Sequence, residues 1–150
     1  MHHIICIGNR LVAKDAAGPA VYDRLRQQTL PNDIQLYEGG LAGLDLLPLL
    51  ERGGRVVFVD AVSGFTGDGQ IVVLDQHDLL YQTAEPTYGH NAGLPYLLAI
   101  LPHVCEGIMP EEITLIGLEG PCSSAVLDEA AALSIALASN GSGLRNEEVT

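Results

Sequence analysis

Arg55-Val56-Val57-Phe58-Val59-Asp60 is the stretch on which the fold turns. Four apolar residues follow one another without alternation, the pattern of a strand buried on both faces. Strands of that kind belong to parallel sheets covered on each side by crossover helices. The carboxylate that closes the run is partly buried by its position and needs a partner.

On either side of this run, strand and helix signals alternate. His3 to Ile7 is a short β-branched run ended by Gly8, hence a strand. Gly18-Pro19 opens an amphipathic helix to about Gln28, with Val21, Leu25 and Tyr22 on one face. Asp33 to Tyr37 alternates as a strand closed by Glu38-Gly39-Gly40, and Asp45 to Glu51 is a short helix ended by Gly53-Gly54. Gly64 to Gly69 is a turn before Gln70 to Leu74, a hairpin-related edge strand, and Gln76 to Tyr81 is a turn of helix. Asn91 to about Cys105 reads as a helix with Pro95 near its start, and Glu112 to Leu118 as the last strand. Ser123 or Ser124 caps a final Ala/Leu-rich helix to about Ser139. The order predicts a layered α/β domain with right-handed crossovers over residues 1–140. Residues 141–150 have little to pack and are expected to fray.

Composition sets the outer limits. The 150 residues suit a single domain, commonly about 100–150 residues long. An apolar content of 47% and a mean hydropathy of +0.24 are ample for its core. No apolar run reaches the roughly 20 residues of a membrane span. Leu94 to Leu101 is broken by Pro95 and ended by Pro102-His103. No secretory signal pattern follows Met1-His2-His3, and Cys6, Cys105 and Cys122 are odd in number at no metal-ligand spacing. A reducing cytoplasm is the expected compartment, with the cysteines as small buried hydrophobes. Seven basic against nineteen acidic residues give a net charge of −12. Nucleic acid and anionic lipid are disfavoured, since both need a basic footprint. The acidity serves solubility or a basic partner surface.

In open α/β sheets the ligand crevice lies beyond the carboxyl ends of the strands. Gly8-Asn9, Glu38-Gly39-Gly40 and Asp60 leave their strands there; Asp15 lies in the first loop, and His90 precedes a helix that can reach the same rim. Two carboxylates and an imidazole suit a divalent metal. Blander roles compete: Asp15 as a helix cap or a solvated loop charge, and His90 as a structural residue. His2, His3, His77 and His103 are read as structural or exposed. Gly8 to Lys14 matches neither the dinucleotide fingerprint nor the P-loop. No Gly-x-Ser-x-Gly elbow is present, and neither Cys105 nor Cys122 has an evident base, so covalent catalysis is unsupported.

Four segments in order carry a resemblance over most of the chain. They are Ile7-Gly8-Asn9 with Leu11, Asp15 and Gly18; Glu38-Gly39-Gly40 through Leu47; Val59-Asp60-Ala61; and His90 with Gly93 and Leu94. Together they resemble the hydrogenase maturation proteases, endopeptidases that trim the C-terminal extension from nickel–iron hydrogenase large subunits. The resemblance implies a three-layer fold, a twisted, mostly parallel sheet of about five strands with helices on both faces. It also implies a nickel-recognising site of Asp15, Asp60 and His90, which are at once the catalytic and the metal-contacting residues. The nickel belongs to the substrate, the large-subunit precursor, and no tightly bound cofactor is expected in the protease, which is expected to be a monomer. Asp15 or Asp60 would act as base for water, with Glu38 supporting them. Backbone donors near Gly39-Gly40 and at the helix after His90 would face the oxyanion.

The chain departs from the family at two positions. Lys14-Asp15 stands where two acidic residues are usual, and Leu41 where threonine is usual. These motivate a second reading, a non-catalytic binding or chaperone module that docks on the precursor. A third, a flavodoxin-like nucleotide-binding domain, rests on fold analogy alone.

Overall fold

The apolar run at 56–59 lies in the central strand of a five-stranded sheet. The computed structural model describes residues 1–41, 43–81 and 93–143. Its strands are β1 (His2–Ile7), β2 (Ile34–Gly40), β3 (Arg55–Val62), β4 (Gln70–Asp75) and β5 (Glu112–Glu119). Its helices are α1 (Ala17–Arg26), α2 (Leu47–Leu50), α3 (Gln76–Tyr81), α4 (Gly93–Val104) and α5 (Ser124–Asn140). The sheet order is β2-β1-β3-β5-β4, with every pairing parallel except that of β4 with β5. The mostly parallel sheet expected from the sequence is therefore present.

Alternate side chains of β1 and β3 enter opposite cores, as the period of two requires. On one face Ile5, Val56 and Phe58 pack with Leu50, Leu94, Leu97, Leu98 and Leu101 from α2 and α4. On the other Ile4, Cys6, Val57 and Val59 pack with Val21 and Leu25 of α1 and with Ala130, Ala131 and Ala138 of α5. Ser123 is the cap of α5, its Oγ accepting from the Val126 N–H at 3.2 Å. His3 is fully buried and stacked on Tyr37, and neither ring nitrogen has a hydrogen-bond partner among the described residues.

Several boundaries differ from the sequence reading. β3 runs on to Val62, so Asp60 lies inside the strand rather than beyond it. β4 is an edge strand but forms no hairpin with β3; Gln70 lies opposite Glu119 and Asp75 opposite Thr114. Both sides of β3 are taken, by β1 and β5, so the chain must pass outward to the free edge of β5. The expected helix over 45–51 is a 3-10 turn, Leu44–Leu46, leading into the single turn of α2. Beyond α5, the Ser142 N–H and Oγ bond to Glu112 at 2.9 and 3.0 Å, so that part of the expected loose tail is anchored. No helix among the described residues is long and apolar enough to cross a membrane.

Two features of this topology define one end of the sheet. After β1 the chain leaves on the α1 face, and it enters β3 from the α2 face, so the crossovers diverge between β1 and β3. After α4 it returns to the amino ends of the strands, where Ile108 bridges Arg52 and the Glu111 N–H donates to the Gly54 carbonyl at 2.8 Å. The first turn of α4 accordingly lies toward the carboxyl ends.

Candidate active site

Beyond the carboxyl end of β1, Gly8 adopts φ 142°, and a Cβ there would lie 2.2 Å from the Asp15 carbonyl oxygen. Only glycine fits that turn. The loop it opens is curled on itself. The Asn9 N–H donates to the carbonyl and to Oδ2 of Asp15, both at 3.0 Å, and Asn9 Oδ1 accepts from the Leu11 N–H at 2.9 Å. Asp15 closes a 3-10 turn, Ala13–Asp15, and is half-buried; the residue before α1 is Ala16, so Asp15 is not its cap. Three residues on, a Cβ at Gly18 would fall 2.0 Å from the Ile7 carbonyl oxygen and 2.9 Å from that of Val59. Glycine therefore lets the first turn of α1 rest directly on the end of β1 and on the middle of β3. The Asp-x-x-Gly spacing is a steric device that sets Asp15 at the divergence of the crossovers, where open α/β sheets bind their ligands.

Asp60 comes to the same rim from the strand side, near enough to feel the charge of Asp15. It is 2% exposed and alternates with Phe58 and Val62, hence on the α4 face, opposite Gly117 of β5. Its Oδ1 accepts from the Ala61 N–H at 2.8 Å. Burial pushes this carboxyl well above its usual range and the charge of Asp15 pushes it further, against the smaller opposing effect of the Ala61 hydrogen bond. The structure thus brings two of the three anticipated side chains to one rim. His90 lies outside the described residues, three positions before the start of α4. Among the described residues no group of three His, Cys, Asp or Glu side chains could hold a metal ion.

Glu38 does not support the acids directly. Its carboxylate is engaged by Arg10, whose Nε donates to it at 2.6 Å. Gly40 offers its carbonyl, not its N–H, to the first loop, accepting from Gly8 at 2.8 Å. Lys14 and Leu41 are both exposed at this rim.

The sequence reading overlooked Glu119, at the end of β5. It is 6% exposed, and its carboxylate accepts from the backbone N–H groups of Gly64, Phe65 and Thr66 at 2.7, 2.9 and 3.1 Å. Burial alone would raise its pKa, but the three N–H donors together hold it below the usual carboxylate range. The segment it grips directly follows the end of β3. Glu119 closes Leu115-Ile116-Gly117-Leu118 just as Asp60 closes its own apolar run, and that was the available signal. Glu119→Ala strands three amide donors and should cost about 2–4 kcal/mol in urea unfolding at pH 7. With a folded-state pKa depressed, the stabilisation is present above the unfolded value of 4.5 and lost as pH falls through the folded one. The gap between wild type and variant should therefore narrow on acidification below 4.5; a constant gap would remove the carboxylate from the account.

Residues 19–130 match the sequence model of the family described as hydrogenase maturation protease. That span holds Asp60 and His90 and begins after Asp15. The hydrogenase expression/formation protein HupD of Rhodobacter capsulatus is 30% identical over 118 residues, 77% of this chain and 55% of that protein. The chain thus spans little more than half of that relative's length. The hydrogenase 2 maturation protease of Escherichia coli K12 is 26% identical over 117 residues, 77% of this chain and 70% of that one. The hydrogenase maturating endopeptidase HybD from E. coli superposes with a TM-score of 0.79 at 23% identity, covering 94% of each chain, a likeness of fold.

Proposed function

The chain belongs to the hydrogenase maturation protease family, a family of peptidases, and we propose that it removes the C-terminal extension from the large-subunit precursor of a nickel–iron hydrogenase after nickel insertion. The observation that carries this reading is the carboxyl pair, Asp15 on its glycine-bounded loop and buried Asp60, at the divergence of the crossovers.

The nickel arrives as part of the substrate. Oxygen and imidazole donors suit it, and Asp15, Asp60 and His90 are the residues that contact it. Asp60 suits the task because a carboxyl held in an apolar wall gains most from a cation beside it. With Oδ1 taken by the Ala61 N–H, Oδ2 is the atom it offers. Asp15, half-buried on its loop, is the group that water reaches more readily, and either acid can serve as base for the hydrolytic water. Seating the metal centre places the scissile peptide beside these groups, and orientation of this kind supplies much of a rate enhancement.

The test mixes the purified chain with nickel-loaded and nickel-free precursor and follows the intact mass of the large subunit. Loss of the extension only from the loaded form is expected, with His90→Ala at least about 10²-fold slower. Equal cutting of both forms, or full activity of the His90 variant, would overturn the roles of these three residues. The rival reading, a module that docks without cutting, has the exposed cation Lys14 beside Asp15 in its favour. Stable binding of loaded precursor with no change in its mass would establish that reading instead.

A further inference from the structure

The loop that carries Asp15 has no apolar anchor. Leu11 is 93% exposed, Val12 43%, and the 3-10 turn holds no buried residue. The Gly8 N–H fastens its start to the Gly40 carbonyl at 2.8 Å, but among the described residues the main-chain hydrogen bonds from Asn9 to Asp15 only curl it on itself. Among the described residues, Arg10 is the loop side chain that bonds to other elements. Its Nη1 and Nη2 donate to the two carboxylate oxygens of Asp23 in α1, both at 2.8 Å, while Nε donates to Glu38 in β2. The guanidinium lies 5.9 Å from the centre of the Tyr22 ring, which Arg26 also approaches, at 5.8 Å.

We propose that Arg10 is a positioning residue for the cleavage reaction, tying the Asp15 loop to α1 and β2 so that Asp15 stays at the rim it shares with Asp60. This role rests on the chain acting as a peptidase. Exposed ion pairs add little to global stability. The expected effect is therefore on where Asp15 sits and how still it is, because a displacement of about 1 Å can cost 10²-fold in rate. The arrangement is also one that only arginine makes, with two parallel bonds to one carboxylate, a third to another and a flat face on a ring. Lysine cannot reproduce it.

The test compares wild type, Arg10→Ala and Arg10→Lys as full chains. Without precursor, amide hydrogen exchange is followed at Asn9, Val12 and Asp15. With nickel-loaded precursor, kcat and KM are measured between about 0.05 and 0.5 M salt, a range over which exposed charges become screened. Arg10→Ala is expected to exchange at least about tenfold faster at these amides and to lose about tenfold or more in kcat. Its KM should stay within about threefold and its melting temperature close to that of wild type, because the clamp is exposed. Arg10→Lys should recover only a minor part of the rate. Wild-type kcat should fall as salt rises, and that of Arg10→Ala should not. Wild-type exchange in Arg10→Ala, or faster exchange with undiminished kcat, would overturn the proposal. If wild type cuts nothing, the peptidase reading falls and the positioning role with it, whereas exchange still decides whether Arg10 ties the loop.

Discussion

Asp60→Asn should stop cleavage and at the same time make the protein harder to unfold. Both effects follow from one buried carboxyl, 2% exposed, whose hydrogen-bond donor among the described residues is the Ala61 N–H. The apolar wall and the charge of Asp15 raise its pKa above the unfolded value of 3.8. A group raised in the folded state favours folding fully below its unfolded pKa and loses that contribution as pH rises through the folded one. At neutral pH and above, the wild type therefore bears the cost of either a proton held or a charge buried. Asparagine has the same shape and bears neither. The variant should gain about 1–2 kcal/mol at pH 8, with a smaller gain at pH 4. Cleavage of nickel-loaded precursor should drop by about 10²–10⁴-fold. Guanidinium unfolding at the two pH values and intact-mass kinetics are the measurements. A variant that is less stable at pH 8, or that still cuts, would show that Asp60 is an ordinary structural carboxyl.

The second large effect belongs to Gly18. It sits in the first turn of α1, where helix propensity alone would favour alanine by up to about 1 kcal/mol. The expected sign is the opposite. A Cβ at 2.0 Å from the Ile7 carbonyl oxygen meets main chain, which has no flexible end to give way. Relief requires lifting the start of α1 from the sheet, and with it Val21 and Leu25, both fully buried. Gly18→Ala should lose more than about 3 kcal/mol, read from the denaturant midpoint at constant slope. An unchanged or raised midpoint would mean that the helix does not rest on those strands.

The central strand, the alternation of layers and the buried Asp60 were legible because each is written locally, whereas Asp15 stood out only through the family resemblance. An unbroken apolar run marks β3, and a carboxylate at its end marks a buried acid. The partner of β4 was not legible, because which edge a strand joins depends on the edges already occupied elsewhere in the sheet. Long-range polar ties were hidden for a similar reason. Arg10 reaches Asp23 and Glu38, 13 and 28 residues away, and Glu119 reaches amides 53 to 55 residues away. No periodicity announces such pairs. The way Glu38 helps the site was hidden on that account, since it acts through Arg10 and not on the acids themselves.

The alternation along β3 turns the sheet into a partition. Phe58 and Val59 are neighbours in sequence yet feed separate compartments, and Asp60 belongs to the compartment of Phe58 alone. Among the described residues, a change of packing beneath α5 can reach that acid through strand backbone or through α1 and the Asp15 loop ahead of it. Remodelling the α5 chamber accordingly touches the acid at one remove, whereas an alteration around Phe58 and Leu94 changes the medium in which Asp60 titrates.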